Sequence, residues 1–308
     1  MRGRISFPYF YVMKNIPVYL LLLVLFFAGD RLGGCMLQKK LDDSLFRYSR
    51  LYRGEAAADV LLLGNSRGLT FYQPRIEEVT GRSTFNLSYN GLPADLAKVL
   101  AEDYLDRYPA PQQLVIDITA CDRMNDELIA GFLPYAGRSN RLDTLIRHRL
   151  PKVWWGGKVS ELFRFNNEIF QRALYYRKKT DTDWLLERVI SEQLVKDAPR
   201  HSYDVQDKDH HAYLVAQLDE LTAYAQARQV PVVLVIGPYF PGFSARVQHL
   251  DDLKMAVEHA TGLQVHDYRN ALNDPTAFGD FMHPNKKGAA AYIDLLKNDG
   301  FLPLAEGH

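Results

Sequence analysis

Val60-Leu61-Leu62-Leu63-Gly64-Asn65-Ser66-Arg67 is a short apolar run that stops at a glycine and turns polar at once. A strand with one face in water alternates apolar and polar residues. A run that is apolar throughout fits a strand covered on both faces. The same grammar repeats outward from it. Gln73 to Thr80 reads as a helix with Gly81 as its stop, and Ser83 to Leu87 as a second strand. Pro93 to Asp106 has helical spacing, with Leu96, Val99 and Leu100 on one face and Pro109 beyond its end. Gln113 to Ile118 is a third strand.

After a long interval the alternation resumes. Ala212 to Gln229 is helical, with Leu214, Leu218, Leu221 and Ala225 along one face, and Val230 to Ile236 is a fourth strand. Leu250 to Thr261 is a helix stopped by Gly262, Leu263 to Tyr268 is a fifth strand, and Lys286 to Lys297 closes the chain as a helix. Apolar strands separated by amphipathic helices predict an α/β protein, a three-layer αβα sandwich around a five-stranded parallel sheet of flavodoxin-like type.

Two regions stand outside that pattern. Arg2, Arg4 and Lys14 precede the apolar run Ile16 to Gly29, which Asp30 and Arg31 close. With Lys14 snorkelling, Phe7 to Gly29 is long enough to cross a bilayer. Basic residues ahead of the span put the N-terminus in the cytoplasm and the remainder outside it. An uncleaved signal anchor is the preferred reading. A cleaved signal peptide lacks a small-x-small site, and a lipoprotein site at Leu32-Gly33-Gly34-Cys35 is disfavoured by the charges before it. The second region, about 122–211, is rich in arginine and aromatics, among them Arg138, Arg141, Arg149, Trp154, Trp155, Arg164 and Arg172. It reads as a helical insertion, either a solvated cap with its own small core or a surface for lipid headgroups or an anionic glycan. The expected organisation is a cytoplasmic tip and anchor over 1–30, a juxtamembrane helix over 31–58, and one α/β domain over 59–303 that carries the insertion.

Composition narrows the function classes. Lysine plus arginine equals aspartate plus glutamate at 37 each in 308 residues, so charge gives no argument for a nucleic-acid partner. Two cysteines, Cys35 and Cys121, are too few for a disulfide scaffold or a cysteine-based metal site. His201, His210 and His211 lack the carboxylate spacing of a metal site, and no Walker or Gly-x-Gly-x-x-Gly motif is present. No metal and no cofactor is expected.

In an open parallel sheet, ligands bind outside the carboxyl ends of the strands. The groups that gather there are Ser66 after strand one, Asn86 to Gly91 after strand two, Thr119 after strand three, and Asp280 with His283 after strand five. A serine, an imidazole and a carboxylate converging at one edge meet the requirement for nucleophilic acyl transfer. Gly64 permits a tight turn that exposes Ser66, and Asp280 lies three residues before His283, close enough to fix its tautomer. Gly91 can offer a backbone N–H to an oxyanion. Each piece alone is common, Gly-Asn-Ser as a turn and Asp-x-x-His as a cap or surface pair. Their order along the chain is not.

Three blocks carry a resemblance. Leu63-Gly64-Asn65-Ser66-Arg67, Asn86-Leu87-Ser88-Tyr89-Asn90-Gly91, and Asp280-Phe281-Met282-His283-Pro284-Asn285 resemble the first, second and fifth blocks of the SGNH/GDSL hydrolase superfamily. The likeness spans about 59–120 and 212–298. It implies Ser66, Asp280 and His283 as catalytic residues and Gly91 as an oxyanion donor. The third block departs from the family. Ile116-Asp117-Ile118-Thr119-Ala120-Cys121 has no asparagine where the family supplies one to the oxyanion hole. Thr119, Asn65 and Arg67 are the candidate substitutes, with Asn86 beside them, since loss of one such donor costs about two to three powers of ten in rate. With its anchor, the chain is similar to the membrane-tethered branch that modifies envelope glycans. That likeness implies an acylated or acyl-accepting glycan as substrate, a membrane-bound acyl-donor protein as partner, and an extracytoplasmic catalytic domain. The competing expectation is a catalytically weak or inactive binding component of a glycan export or modification complex.

Overall fold

The computed structural model describes residues 9–182 and 184–305. Arg2, Arg4 and Phe7, on which part of the topology reading rests, lie outside the described residues. A long helix, α1 (Tyr9–Asp42), leads into α2 (Arg47–Arg53). The sheet then begins with β1 (Val60–Leu63), α3 (Gln73–Thr80), β2 (Thr84–Asn86), α4 (Ala94–Arg107) and β3 (Gln113–Asp117). Five short helices follow: α5 (Asp126–Gly131), α6 (Asn140–Arg149), α7 (Pro151–Val159), α8 (Glu168–Tyr175) and α9 (Glu192–Asp197). A two-residue strand, β4 (Tyr203–Asp204), precedes α10 (His211–Gln226), β5 (Val232–Ile236) and a second short strand, β6 (Val247–Gln248), which pairs with β4. The chain ends with α11 (Leu250–Thr261), β7 (Val265–Asp267) and α12 (Lys286–Asn298).

The main sheet is parallel throughout, in the order β2-β1-β3-β5-β7. The pleat sorts its residues into two cores. Leu61, Leu63, Leu114, Ile116, Leu234 and Ile236 face the layer of α4, α10 and α11, while Val60, Leu62, Val115, Val233 and Val235 face α3 and α12. This double burial is the reason that β1 and β5 are apolar at every position and that β3 is apolar from Leu114 to Ile116. Right-handed crossovers account for the layers: β1 to β2 runs one way along the sheet and places α3 on one face, whereas β2 to β3 to β5 to β7 runs the other way and places α4, α10 and α11 opposite. The reversal occurs at β1 and β3, the kind of place beside which open α/β sheets hold their ligands.

The expected α/β class, the five-stranded parallel sheet and the helical layers are those of the structure. The insertion differs in its core. Its apolar residues, including Phe132, Leu142, Ile146 and Phe170, join the α4-side core instead of forming one of their own. Several of its arginines are spoken for: Arg141 pairs with Glu102, Asp103 and Asp106, and Arg149 pairs with Asp95 and Asp126. Asn125, Ser139, Asn167 and Ser191 cap α5, α6, α8 and α9 by accepting a backbone N–H three residues on, which lets such short helices hold.

The helix α1 changes character at one residue. Ile16 to Gly29 stand exposed, and Asp30 is buried. Beyond that point Leu37 and Leu41 pack into the domain. By length and composition, the stretch Ile16–Asp42 is apolar enough to cross a membrane or to serve as a signal sequence.

Candidate active site

The turn after β1 is folded tightly on itself. A Cβ on Gly64 would lie 2.9 Å from the Gly68 Cα and 3.1 Å from the Asp117 Cβ, so glycine is required here by close approach. Gly64 has no positive φ, so the need for space replaces the conformational reason expected from sequence. Gly68 in turn sits against the Ser88 hydroxyl. Ser66 stands half-buried at the crown of this turn.

The imidazole comes from the other end of the chain. Phe278 and Pro284 form an antiparallel bridge, and the Gly279 N–H donates to the His283 carbonyl at 3.0 Å, which closes a small loop over 278–284. Asn285 then caps α12 by accepting the Gly288 N–H at 3.1 Å. Inside the loop, Asp280 Oδ1 accepts the N–H groups of Met282 (2.8 Å) and His283 (2.9 Å). The same carboxylate meets His283 Nδ1 at 2.9 and 3.0 Å. An ionised carboxylate only accepts, so Nδ1 carries the proton and Nε2 is left as the acceptor. Ser66 Oγ lies 2.9 Å from Nε2, placed to donate to it. Burial pushes the Asp280 carboxyl up, but the hydrogen bond and charge of His283 and the two backbone N–H groups outweigh it, and the group is held below the usual carboxylate range.

Ser66, Asp280 and His283 line a cleft of about 230 Å³ with Leu69, Thr70, Asn90, Trp184, Leu185, Leu186 and Pro284. The other residues singled out from sequence are placed differently. Asn65 donates to the Thr119 carbonyl at 2.7 Å and accepts the Arg67 N–H at 2.9 Å. The Thr119 hydroxyl is buried and directed to Asp117 and Asn65. Asn86 is buried and donates to the Gly68 carbonyl at 3.0 Å. Arg67 is buried behind the turn, donates to the carbonyls of Gly237, Pro238 and Met282, and lies 3.6 Å from the centre of the Tyr239 ring. Its Nε is 3.9 Å from Asp117, whose Oδ2 also accepts the Gly237 N–H. These four side chains are occupied with scaffold bonds. They tie the loops after β1, β3 and β5 to the His283 loop, and none of them lines the cleft.

Gly91 takes a left-handed φ of 65°, and its carbonyl accepts from the Asn125 side chain at 2.9 Å. Neither its N–H nor that of Ser66 donates a hydrogen bond among the described residues. Asn90, its neighbour, is exposed at the cleft and its amide has no protein partner among the described residues. Sequence reading passed over Asn90 as part of a turn; its place in an Asn-Gly pair beside Gly91 was the available signal. Trp184, Leu185 and Leu186 come from the insertion, and no motif marks them.

His210 pairs with Asp207 at 3.0 Å and His201 packs beside Phe281. Among the described residues no cluster of His, Cys, Asp and Glu could hold a metal ion. Both cysteines are free; Cys35 is exposed on α1, and burial pushes the Cys121 thiol far up, where it is a poor nucleophile.

No family model and no curated protein matches the chain. Among solved structures the chain is similar to a GDSL-like lipase from Bacteroides thetaiotaomicron, at 12% identity and a TM-score of 0.37, over 78% of this chain and 86% of that one. A likeness that slight carries no weight beside the sheet order and the hydrogen-bonded Ser66-His283-Asp280 set, which stand on their own.

Proposed function

We propose that the chain is a membrane-anchored serine esterase or O-acyltransferase that works through Ser66, His283 and Asp280 on an extracytoplasmic glycan. The observation that carries the reading is the unbroken path from Ser66 Oγ through the imidazole to the Asp280 carboxylate, open to a cleft. In this scheme His283 Nε2 takes the hydroxyl proton as Ser66 Oγ bonds to the acyl carbon. The oxyanion is met by the N–H groups of Ser66 and Gly91 and by the Asn90 amide, which takes the place of the family's third-block asparagine. Collapse breaks the ester bond, and the leaving alcohol takes the proton from His283. Attack on the acyl-enzyme by water completes hydrolysis; attack by a sugar hydroxyl completes transfer. The glycan and the acyl-donor partner rest on the motif resemblance, and the anchor on α1.

A fluorophosphonate probe tests the reading. Ser66 of the wild-type chain should become labelled, with no labelling in Ser66→Ala. An unlabelled wild-type chain that is folded would sink it. Glycan acetyl content before and after gene loss separates the two outcomes: a fall means transfer, a rise means hydrolysis.

A further inference from the structure

Among the described residues, exposed large apolar side chains on the globular part are scattered singly, as at Val195, Met255 and Leu304, with one exception. Trp155, Val159, Leu162 and Phe163 are exposed by 62%, 60%, 43% and 49% within a single helix-turn hairpin made of α7 and the 3-10 turn Leu162–Phe165. The underside of this hairpin is packed. Gly157 is pressed against Leu133, Phe165 is buried, and the Trp154 indole donates to Asp143 at 2.9 Å. The upper side is held in shape without being covered. The Phe163 ring lies over Gly156, where a Cβ would come within 2.8 Å of it.

The hairpin is clamped to α1 at the residue where the exposed apolar stretch ends. Buried Asp30 accepts the Ser160 hydroxyl at 2.5 Å and the N–H groups of Glu161 at 2.8 Å and Leu162 at 3.1 Å. Arg31 pairs with Glu161 at 3.0 Å and donates to the Val159 carbonyl at 3.2 Å. Gly33 and Gly34 leave room for Leu162 and Glu161, which a Cβ on either glycine would crowd at 3.0 and 2.3 Å. The hairpin's contacts with α1 therefore fall between Asp30 and Gly34, one to five residues past the end of the apolar stretch at Gly29, or about 2–8 Å along the helix axis. That is the depth of lipid headgroups if the stretch spans a bilayer. Leu32 and Met36 extend the exposed apolar surface along α1 itself. Lys152, three residues before Trp155 and exposed on the same turn of helix, has no acidic partner among the described residues.

We propose that the α7 hairpin is a lipid-binding foot, seated in the headgroup layer of the membrane that α1 crosses. Trp155 and Phe163 enter the interface, where aromatic rings are favoured, and Lys152 meets anionic headgroups. The inference rests on reading α1 as a membrane anchor. Its consequence is that the domain is fixed to the bilayer at two points and is not tethered by a flexible leash, so the Ser66 cleft keeps one height and one orientation above the lipid.

The test uses the full chain in nanodiscs of phosphatidylcholine and phosphatidylglycerol, in a Cys35→Ser background, with an environment-sensitive fluorophore attached to one new cysteine at a time. Trp155→Cys and Phe163→Cys report on the foot, Leu22→Cys on the anchor, and Met255→Cys on a distant exposed site. Lipids with a nitroxide near the headgroup should quench labels at 155 and 163 several-fold more than the label at 255, and lipids with a deep nitroxide should quench the label at 22. Quenching at 22 with 155 and 163 no different from 255 overturns the foot and leaves the anchor standing. No quenching at 22 overturns the anchor and the foot with it. Labels at 155 and 163 shielded from both lipid nitroxide and aqueous iodide would mean that a second copy or another protein covers the patch, and would also overturn the proposal.

Discussion

The polar residues behind Ser66 and those in front of it come from the same motifs but do opposite work. Behind the turn, Asn65, Arg67, Asp117 and Thr119 are buried and bonded to one another or to backbone carbonyls. In front, Ser66, Asn90 and His283 keep groups open to the cleft. Buried side chains aimed into the protein offer a substrate no donor, and this holds even for the Arg67 Nε, which has no hydrogen-bond partner among the described residues; open groups at a cleft do offer one. The difference teaches that closeness to Ser66 in sequence says little about access to it. Arg67 is next to Ser66 in the chain and faces the interior, whereas His283 is more than two hundred residues away and within hydrogen-bond reach.

If that division is right, mutations on the two sides should fail in different ways. Ser66→Ala should lower ester turnover by about six powers of ten while leaving the melting temperature near wild type, measured with a chromogenic acetate ester and by thermal denaturation. Retained turnover would remove Ser66 from the front group. Arg67→Met should do the reverse first: it removes the cation beside the buried Asp117 carboxylate and strands three carbonyls, and should cost about 3–5 kcal/mol of stability in chemical denaturation. An unfolding midpoint equal to that of wild type would mean that Arg67 does not rivet the loops.

The scaffold was legible because its signals are local and repeated. The strands β1 and β5 are apolar at every position and β3 in its middle three, since both faces are covered, and the helices α3 and α11 end where Gly81 and Gly262 adopt left-handed φ angles of 67° and 65°. The Ser66, Asp280 and His283 set was legible because strand order places those segments at one sheet edge. Side-chain direction was not. Thr119 was a candidate oxyanion donor by position, but its hydroxyl turns inward to the Asp117 carboxylate that accepts it. The arginines of the insertion suggested an open basic surface, but Arg141 and Arg149 find acidic partners on α4 and α5, with Asp95 and Glu102 too far away in sequence for spacing to reveal. Trp184 to Leu186 reach the cleft through tertiary packing that no periodicity encodes.

Asn90 sharpens the same division at smaller cost. Asn90→Ala should reduce kcat by about two to three powers of ten with little change in KM, the expected loss for one oxyanion donor. Thr119→Val is the matching change behind the turn. It should cost about 0.5–1.5 kcal/mol of stability and leave kcat within a few-fold of wild type. If the two variants exchanged these effects, the oxyanion donor would be the threonine and the front and back assignments would be reversed.

The smallest effect expected is in acid. The Asp280 carboxyl is held below its ordinary value in the folded protein by the His283 hydrogen bond and two backbone N–H groups. A group with a depressed folded pKa contributes stability that is complete above its unfolded pKa of about 3.9 and is lost as the pH falls through the lower folded value. Wild-type stability should therefore decline more steeply below about pH 4 than that of Asp280→Asn, which has no carboxylate to protonate there. Between pH 5 and 8 this group should give neither curve any slope, because it stays ionised throughout. Parallel declines below pH 4 would mean that the loop around His283 holds its shape without the charge, and that Asp280 acts on the imidazole alone.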